Sequence, residues 1–290
     1  MDASADEVMD IAREGHRAYE RGDYDEARRL FRIAADRGNI RAQCLLGVIY
    51  AEGRGVGRDY GEALRLYRLA AGQGDAVAQF NLGVMYAEGH GVGQDYAEAC
   101  KWYQKAADQG DAGAQNTLGF MYAEGRGVGQ DYAEAYRWYR KAADQGDAVA
   151  QNNLGRMYAE GLGVETDYDE ALRLYRLAAG QGHAVAQRNL GVMYDEGHGV
   201  GQDYAEACKW YQKAADQGDA GAQFNLGRMY AEGLGVETDY DEAYRWYRKA
   251  AGQGDARAKR KLQSSVEKLR ELGIKYEFGH GVEQNTLKAR

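Results

Sequence analysis

Proline is absent from all 290 residues, where average usage of roughly 5% would supply about 15. Long apolar runs are absent too. No stretch approaches 18 consecutive apolar residues and the mean hydropathy is −0.70, which excludes a membrane-inserted helix. Cysteine is scarce, with Cys44, Cys100 and Cys208 in neither a C-x-x-C nor a Cys/His cluster. That excludes a disulfide framework or a zinc site and points to a reduced, cytoplasmic chain. Met1 to Glu14 carries Asp2, Asp6, Glu7, Asp10 and Glu14 in place of a basic and then apolar segment, so no signal peptide is read there. A net charge of −8 and an isoelectric point near 5.3 oppose nucleic-acid binding by phosphate neutralisation.

Glycine, by contrast, is abundant at 40 residues, about double the average. The 44% of hydrophobic residues fill a core, so the glycines are positional and do not mark disorder. The dipeptide Leu-Gly recurs at Leu46, Leu82, Leu118, Leu154, Leu190 and Leu226, a 36-residue period repeated six times. Residues 88–115 match 196–223 without a difference. The chain is a tandem array.

Each unit reads as two helices. In one unit Asp75 is an N-cap, 76–88 has helical apolar spacing, and Gly89 supplies a positive φ at the end of helix A. Asp95 and Glu98 form a capping box that opens helix B, which ends before Gly110. In helix B, Tyr96, Ala99, Cys100, Tyr103, Ala106 and Ala107 share one face. Gly83, Gly89, Gly91, Gly93 and Gly110 are the glycine columns, expected to serve close packing and positive-φ turns. Short pairs cannot bury their stripes alone, so they stack into an all-α, right-handed superhelical solenoid of antiparallel helix pairs.

The text L-G-x-M-Y-A-E-G-x-G-V, followed by D-Y-x-E-A and W-Y-x-K-A-A-x-Q-G-D-A, resembles the Sel-1-like repeat, a relative of the tetratricopeptide repeat, over 39–254. Residues 1–38 are expected to form an N-terminal helix pair, with Gly15, Gly22, Tyr24, Ala27, Phe31 and Ala34 at tetratricopeptide offsets. Residues 255–290 read as a degenerate capping repeat, either two helices near 256–263 and 266–278, with Ser265 at an N-cap, or one merged helix. Asn285 stands at the N-cap position of a further helix B, and the five residues after it are too few for a helix, so a longer parent array is expected. Where the family commonly has Pro after G-V, this chain has Gly57, Gly93, Gly129, Glu165, Gly201 and Glu237.

No catalytic constellation emerges. The loop G-H-G-V-G-Q-D follows a helix, whereas phosphate-cradling loops follow a strand. His90 and His198 are three repeats apart, more than roughly 25 Å at usual helix spacings, and cannot share a metal. No metal site and no cofactor is assigned. Residues 257–275 hold seven Lys and Arg against Glu267 and Glu271, which reads as a solvated cap or as a docking site for an acidic partner. Glu88 and its column lie in the last turn of helix A, where the helix dipole disfavours them, so a compensating partner, internal or cationic, is expected.

Columns identical in all units serve the scaffold, and varying columns are free for other uses. On helix A the near-invariant Ala78, Gln79, Leu82, Gly83, Met85 and Tyr86 face neighbouring helices. The opposite, varying face carries Phe80, Val84, Asn116, Phe120, Asn152, Arg156, Arg188, Phe224 and Arg228. Phe and Arg on a concave surface dominate binding energies. The amides of Asn81, Asn153, Asn189 and Asn225 could pair with a peptide backbone or with the adjacent repeat. The resemblance implies a non-catalytic adaptor that binds a protein or peptide along this face; the residues leave its oligomeric state open, and a monomer is the favoured expectation. An alternative, motivated by the absent prolines and the duplicated block, is a designed or engineered scaffold without a natural ligand. A third reading, an enzyme-regulatory subunit, has only family breadth behind it.

Overall fold

The computed structural model describes residues 5–271, with side chains to 264. Among them fifteen helices form and no strand. They divide into two compact units, Met1–Asp147 and Ala148–Arg290.

The first unit runs α1 (Ala5–Glu20), α2 (Tyr24–Asp36), α3 (Ile40–Glu52), α4 (Tyr60–Gly72), α5 (Ala76–Glu88), α6 (Tyr96–Asp108), α7 (Ala112–Glu124) and α8 (Tyr132–Asp144). Odd helices are the A helices and even ones the B helices. Within the unit each A helix packs on the B helix that follows it, and α2, α4 and α6 pack on the next A helix. The second unit repeats the scheme through α9 (Ala148–Glu160), α10 (Tyr168–Gly180), α11 (Ala184–Glu196), α12 (Tyr204–Asp216), α13 (Ala220–Glu232) and α14 (Tyr240–Gly252). It ends on α15 (Ala256–Glu271), which covers α14 and touches α13. Of the two expectations for this end, the single helix is observed, since α15 continues through Ser265. Leu272 to Val282 and Asn285 lie outside the described residues.

The punctuation follows from local chemistry. Asp75 accepts a hydrogen bond from the Ala78 amide at 2.7 Å, and Asp95 accepts from the Glu98 amide at 2.9 Å, each satisfying an amide that the first helical turn leaves unpaired. Helix A stops where Gly89 takes φ 72° and donates to the Met85 carbonyl. Gly91, at φ 68°, lies against the preceding repeat, where a Cβ would stand 2.6 Å from the Tyr60 carbonyl oxygen. Gly93 behaves differently from the expectation for its column. Its φ is not positive and a Cβ there meets nothing, so neither packing nor a left-handed turn requires glycine at that position.

The apolar stripes meet as their spacing predicts. Ala78, Leu82 and Met85 of α5 and Ala99, Cys100, Tyr103, Ala106 and Ala107 of α6 are buried. A further interaction joins repeats through polar groups. Gln79 is buried, donates to the Ala71 carbonyl at 3.2 Å and accepts from Gln109, 30 residues on, at 2.7 Å. The pairs Gln73–Gln43 and Gln145–Gln115 repeat this link in the first unit, and Gln181–Gln151, Gln217–Gln187 and Gln253–Gln223 repeat it in the second. The ladder satisfies amides that burial would otherwise penalise.

Candidate binding face

The varying face of the A helices differs in character between the units. In the first, Phe80 on α5 is half-buried, its ring tilted 45° against Tyr103 at 5.6 Å. Val84, one turn on, packs beside it. Phe120 on α7 is the open aromatic, 37% exposed, with the Arg126 guanidinium 5.2 Å from its ring centre. Asn81 and Asn116 are half-buried.

In the second unit the face is a polar network. Arg188 on α11 reaches Asp219, the N-cap of α13, at 3.1 Å. Arg228 on α13 pairs with Asp195 of α11, whose carboxylate also accepts from the Tyr211 hydroxyl at 3.0 Å. Asn189 donates to Asn152 at 2.9 Å across neighbouring A helices. For this pair the amide serves the adjacent repeat. Arg156, Asn153 and Asn225 are half-buried on the same face. Burial pushes the Tyr175 hydroxyl up, and the guanidinium groups of Arg156 and Arg188 oppose that shift.

Two residues expected on the open face are covered instead. Phe224 is 9% exposed, against Tyr247 at 5.7 Å and beneath the Arg257 guanidinium of α15 at 4.2 Å. The terminal helix supplies a lid that no internal period encodes. Asn152 is 6% exposed because Asn189 closes over it.

Glu88 and its column are compensated from within the chain where partners are seen. Glu88 meets His90 at 3.0 Å and Glu196 meets His198 at 3.1 Å, while Glu52 pairs with Arg54 and Glu232 with Arg228. Each of these histidines also stacks on the tyrosine that opens a B helix of the preceding repeat, His90 on Tyr60 at 4.2 Å and His198 on Tyr168 at 4.4 Å.

The thiols are held protonated. Burial pushes Cys44 up to about 12, and Cys100 and Cys208 up to about 11. Cys100 and Cys208 face the carbonyls of Arg126 and Leu234, an environment that suppresses a thiolate nucleophile. No helix among the described residues is long and apolar enough to cross a membrane.

Sequence reasoning missed Asp195 and Asp219 as partners of the face arginines. Asp195 was visible as the one departure from alanine in its column, Ala51, Ala87, Ala123, Ala159 and Ala231. A buried charge replacing a small apolar residue asks for a counter-charge, and Arg228 supplies it.

Comparison with known proteins agrees with this architecture. The Sel1 repeat model matches residues 13–39, 40–75, 76–111, 112–147, 148–183, 184–219, 220–255 and 269–290. No curated protein sequence matches the chain. Among solved structures, the chain is similar to a protective antigen present in uropathogenic Escherichia coli strains that displays an SLR fold. The identity is 38% and the TM-score 0.79, over 90% of this chain and 57% of that one, so this chain spans little more than half of the antigen's length. It is also similar to a Sel1 repeat protein from Oxalobacter formigenes, at 36% identity and a TM-score of 0.78 over 83% of this chain and 96% of that one. With the family model covering most of its length and the repeat geometry shared with both structures, the chain belongs to the Sel1 repeat family.

Proposed function

We propose that this Sel1 repeat solenoid is a non-catalytic adaptor that holds a segment of a protein partner on the varying face of its A helices. The observation that carries the reading is Phe120, a large ring left 37% exposed with an arginine beside it, in a column that the scaffold leaves free to vary. Aromatic and arginine side chains are the types that anchor protein interfaces. Phe80 and Val84 add apolar surface on α5, while in the second unit Arg156 stands on the same face and Arg188, Arg228 and Asn189, held by Asp219, Asp195 and Asn152, offer the partner a fixed polar surface. The reading takes the partner to be protein, not nucleic acid, and the adaptor to act as a monomer in the cytoplasm.

The test is affinity capture with the wild type and with Phe80→Ala/Phe120→Ala, compared by quantitative mass spectrometry. The expected result is loss of the proteins that the wild type retains, with the helical circular dichroism unchanged. Equal retention by both proteins would remove the proposal. Phe224→Ala is a core truncation and is expected to cost about 3 kcal/mol of stability, so it belongs outside this test.

A further inference from the structure

The first two A helices enclose a cavity that the varying columns of the internal repeats do not define. It measures about 520 Å³ and lies among α1, α2 and α3, within the range of about 300–1,000 Å³ usual for ligand sites. Its floor is apolar, formed by Met9, Ala12, Phe31 and Leu45. Leu45 occupies the column that holds Asn81, Asn153, Asn189 and Asn225 in later repeats, so the amide face turns apolar here. Met9 is 48% exposed, a flexible and polarisable side chain of the kind that adapts to an incoming one.

The walls are basic. Arg13, Arg17 and Arg41 line the cavity against the single carboxylate of Glu20. Arg13 pairs with Asp10 alone among the described residues, at 3.0 Å with both side chains more than 60% exposed, an exchangeable pairing. Arg17 and Arg41 have no carboxylate partner among the described residues. His16 contacts Glu20 through Nε2 at 3.4 Å, and its Nδ1 is buried without a hydrogen-bond partner among the described residues. A local excess of guanidinium groups around an apolar floor, in a chain whose net charge is −8, is a specific feature and not the general character of the surface.

We propose that this cavity receives one apolar side chain of an acidic peptide segment from a partner protein, whose flanking carboxylates pair with Arg17 and Arg41. Guanidinium forks bind carboxylates in a bidentate manner and give the pairing orientation as well as strength. The apolar floor supplies what a purely electrostatic site lacks, a pocket for an anchor residue. The proposal rests on the reading of the A-helix face as a binding surface but uses different residues, so the two fail separately.

The test is fluorescence polarisation of the full chain with a carboxyfluorescein-labelled peptide, Gly-Glu-Asp-Phe-Glu-Asp-Gly. The wild type is expected to bind it saturably, and Arg17→Glu/Arg41→Glu to weaken binding by at least about tenfold, with strong salt dependence. Exchanging the peptide's Phe for Gly is expected to cost at least about fivefold. A peptide with Lys at the four acidic positions should bind the charge-reversed variant better than the wild type. Circular dichroism checks the fold, and Arg17→Gln/Arg41→Gln repeats the measurement should the reversed variant unfold. Absence of binding, binding indifferent to Arg17 and Arg41, or equal binding of the lysine peptide by the wild type would each overturn the proposal. Binding lost only in Phe80→Ala/Phe120→Ala would overturn it too while leaving the face reading in place.

Discussion

A Cβ on Gly83 would stand 2.6 Å from Cε1 of Tyr103, and the same near-contact recurs between Gly119 and Tyr139 at 2.8 Å and between Gly191 and Tyr211 at 2.7 Å. Helices A and B of a unit therefore approach until the ring lies on bare backbone. Gly83→Ala adds favourable helix propensity but drives a methyl group into a buried ring, and overpacking of this kind costs about 1–3 kcal/mol. Urea denaturation should show the loss as a lower midpoint with an unchanged slope. A neutral result would mean that the Tyr103 ring can move aside.

The column of Gly57, Gly93, Gly129 and Gly201 should respond in the opposite sense. A Cβ at these sites meets nothing and φ is not positive, so alanine removes unfolded-state freedom without strain. Each Gly→Ala change is expected to add about 0.4–1 kcal/mol. The fourfold variant should melt higher than the wild type, and a lower melting temperature would show that these loops need glycine for a reason other than space or φ.

The difference between those two glycine columns marks how far the sequence could be read. Periodicity located both, and the caps Asp75, Asp95 and Gly89 followed from local chemistry because their partners lie within a few residues. Whether a glycine is packed or idle depends on a residue 20 positions away, as with Gly83 and Tyr103, and one-dimensional spacing does not carry that distance. The Gln79 to Gln109 link was hidden for the same reason, since an invariant glutamine on a packing face is legible as buried but not as paired. On the candidate face, residue types were legible and coverage was not. Phe80 and Phe224 occupy one column, yet α15 closes over the second through Arg257. The cavity beside Met9 belongs to the atypical first pair and breaks the period that made the remainder readable.

Asp195 and Arg228 should prove coupled. Asp195→Ala restores the residue found in the other repeats but leaves Arg228 and the Tyr211 hydroxyl without their acceptor. The expected cost is about 1–3 kcal/mol, below that of a fully enclosed pair because the Arg228 side chain keeps 26% of its exposure. Adding Arg228→Val, the residue type at 84 and 192, should recover more than half of that loss. A double-mutant cycle with no coupling would show that Arg228 turns to solvent or to Glu232 once Asp195 is gone.

Alkaline pH should unfold the chain through its own core. Burial raises the hydroxyls of Tyr67, Tyr103, Tyr175 and Tyr211 above their ordinary value of 10.0 and brings Tyr247 to about 12. It also raises Cys44 to about 12 and Cys100 and Cys208 to about 11, from 9.0. The folded state thus holds these protons more tightly than the unfolded chain. Their contribution is complete below the unfolded values and is lost as pH climbs through the folded ones, with each group adding at most about 1.4 kcal/mol per pH unit. Urea midpoints should be level near neutrality and fall with increasing steepness from about pH 9 to 11, as thiols and then phenols ionise in the unfolded chain. Because the same tyrosine recurs in every unit, the steepness should grow with repeat number. A midpoint that holds steady to pH 11 would show that the buried hydroxyls ionise as freely in the fold as outside it.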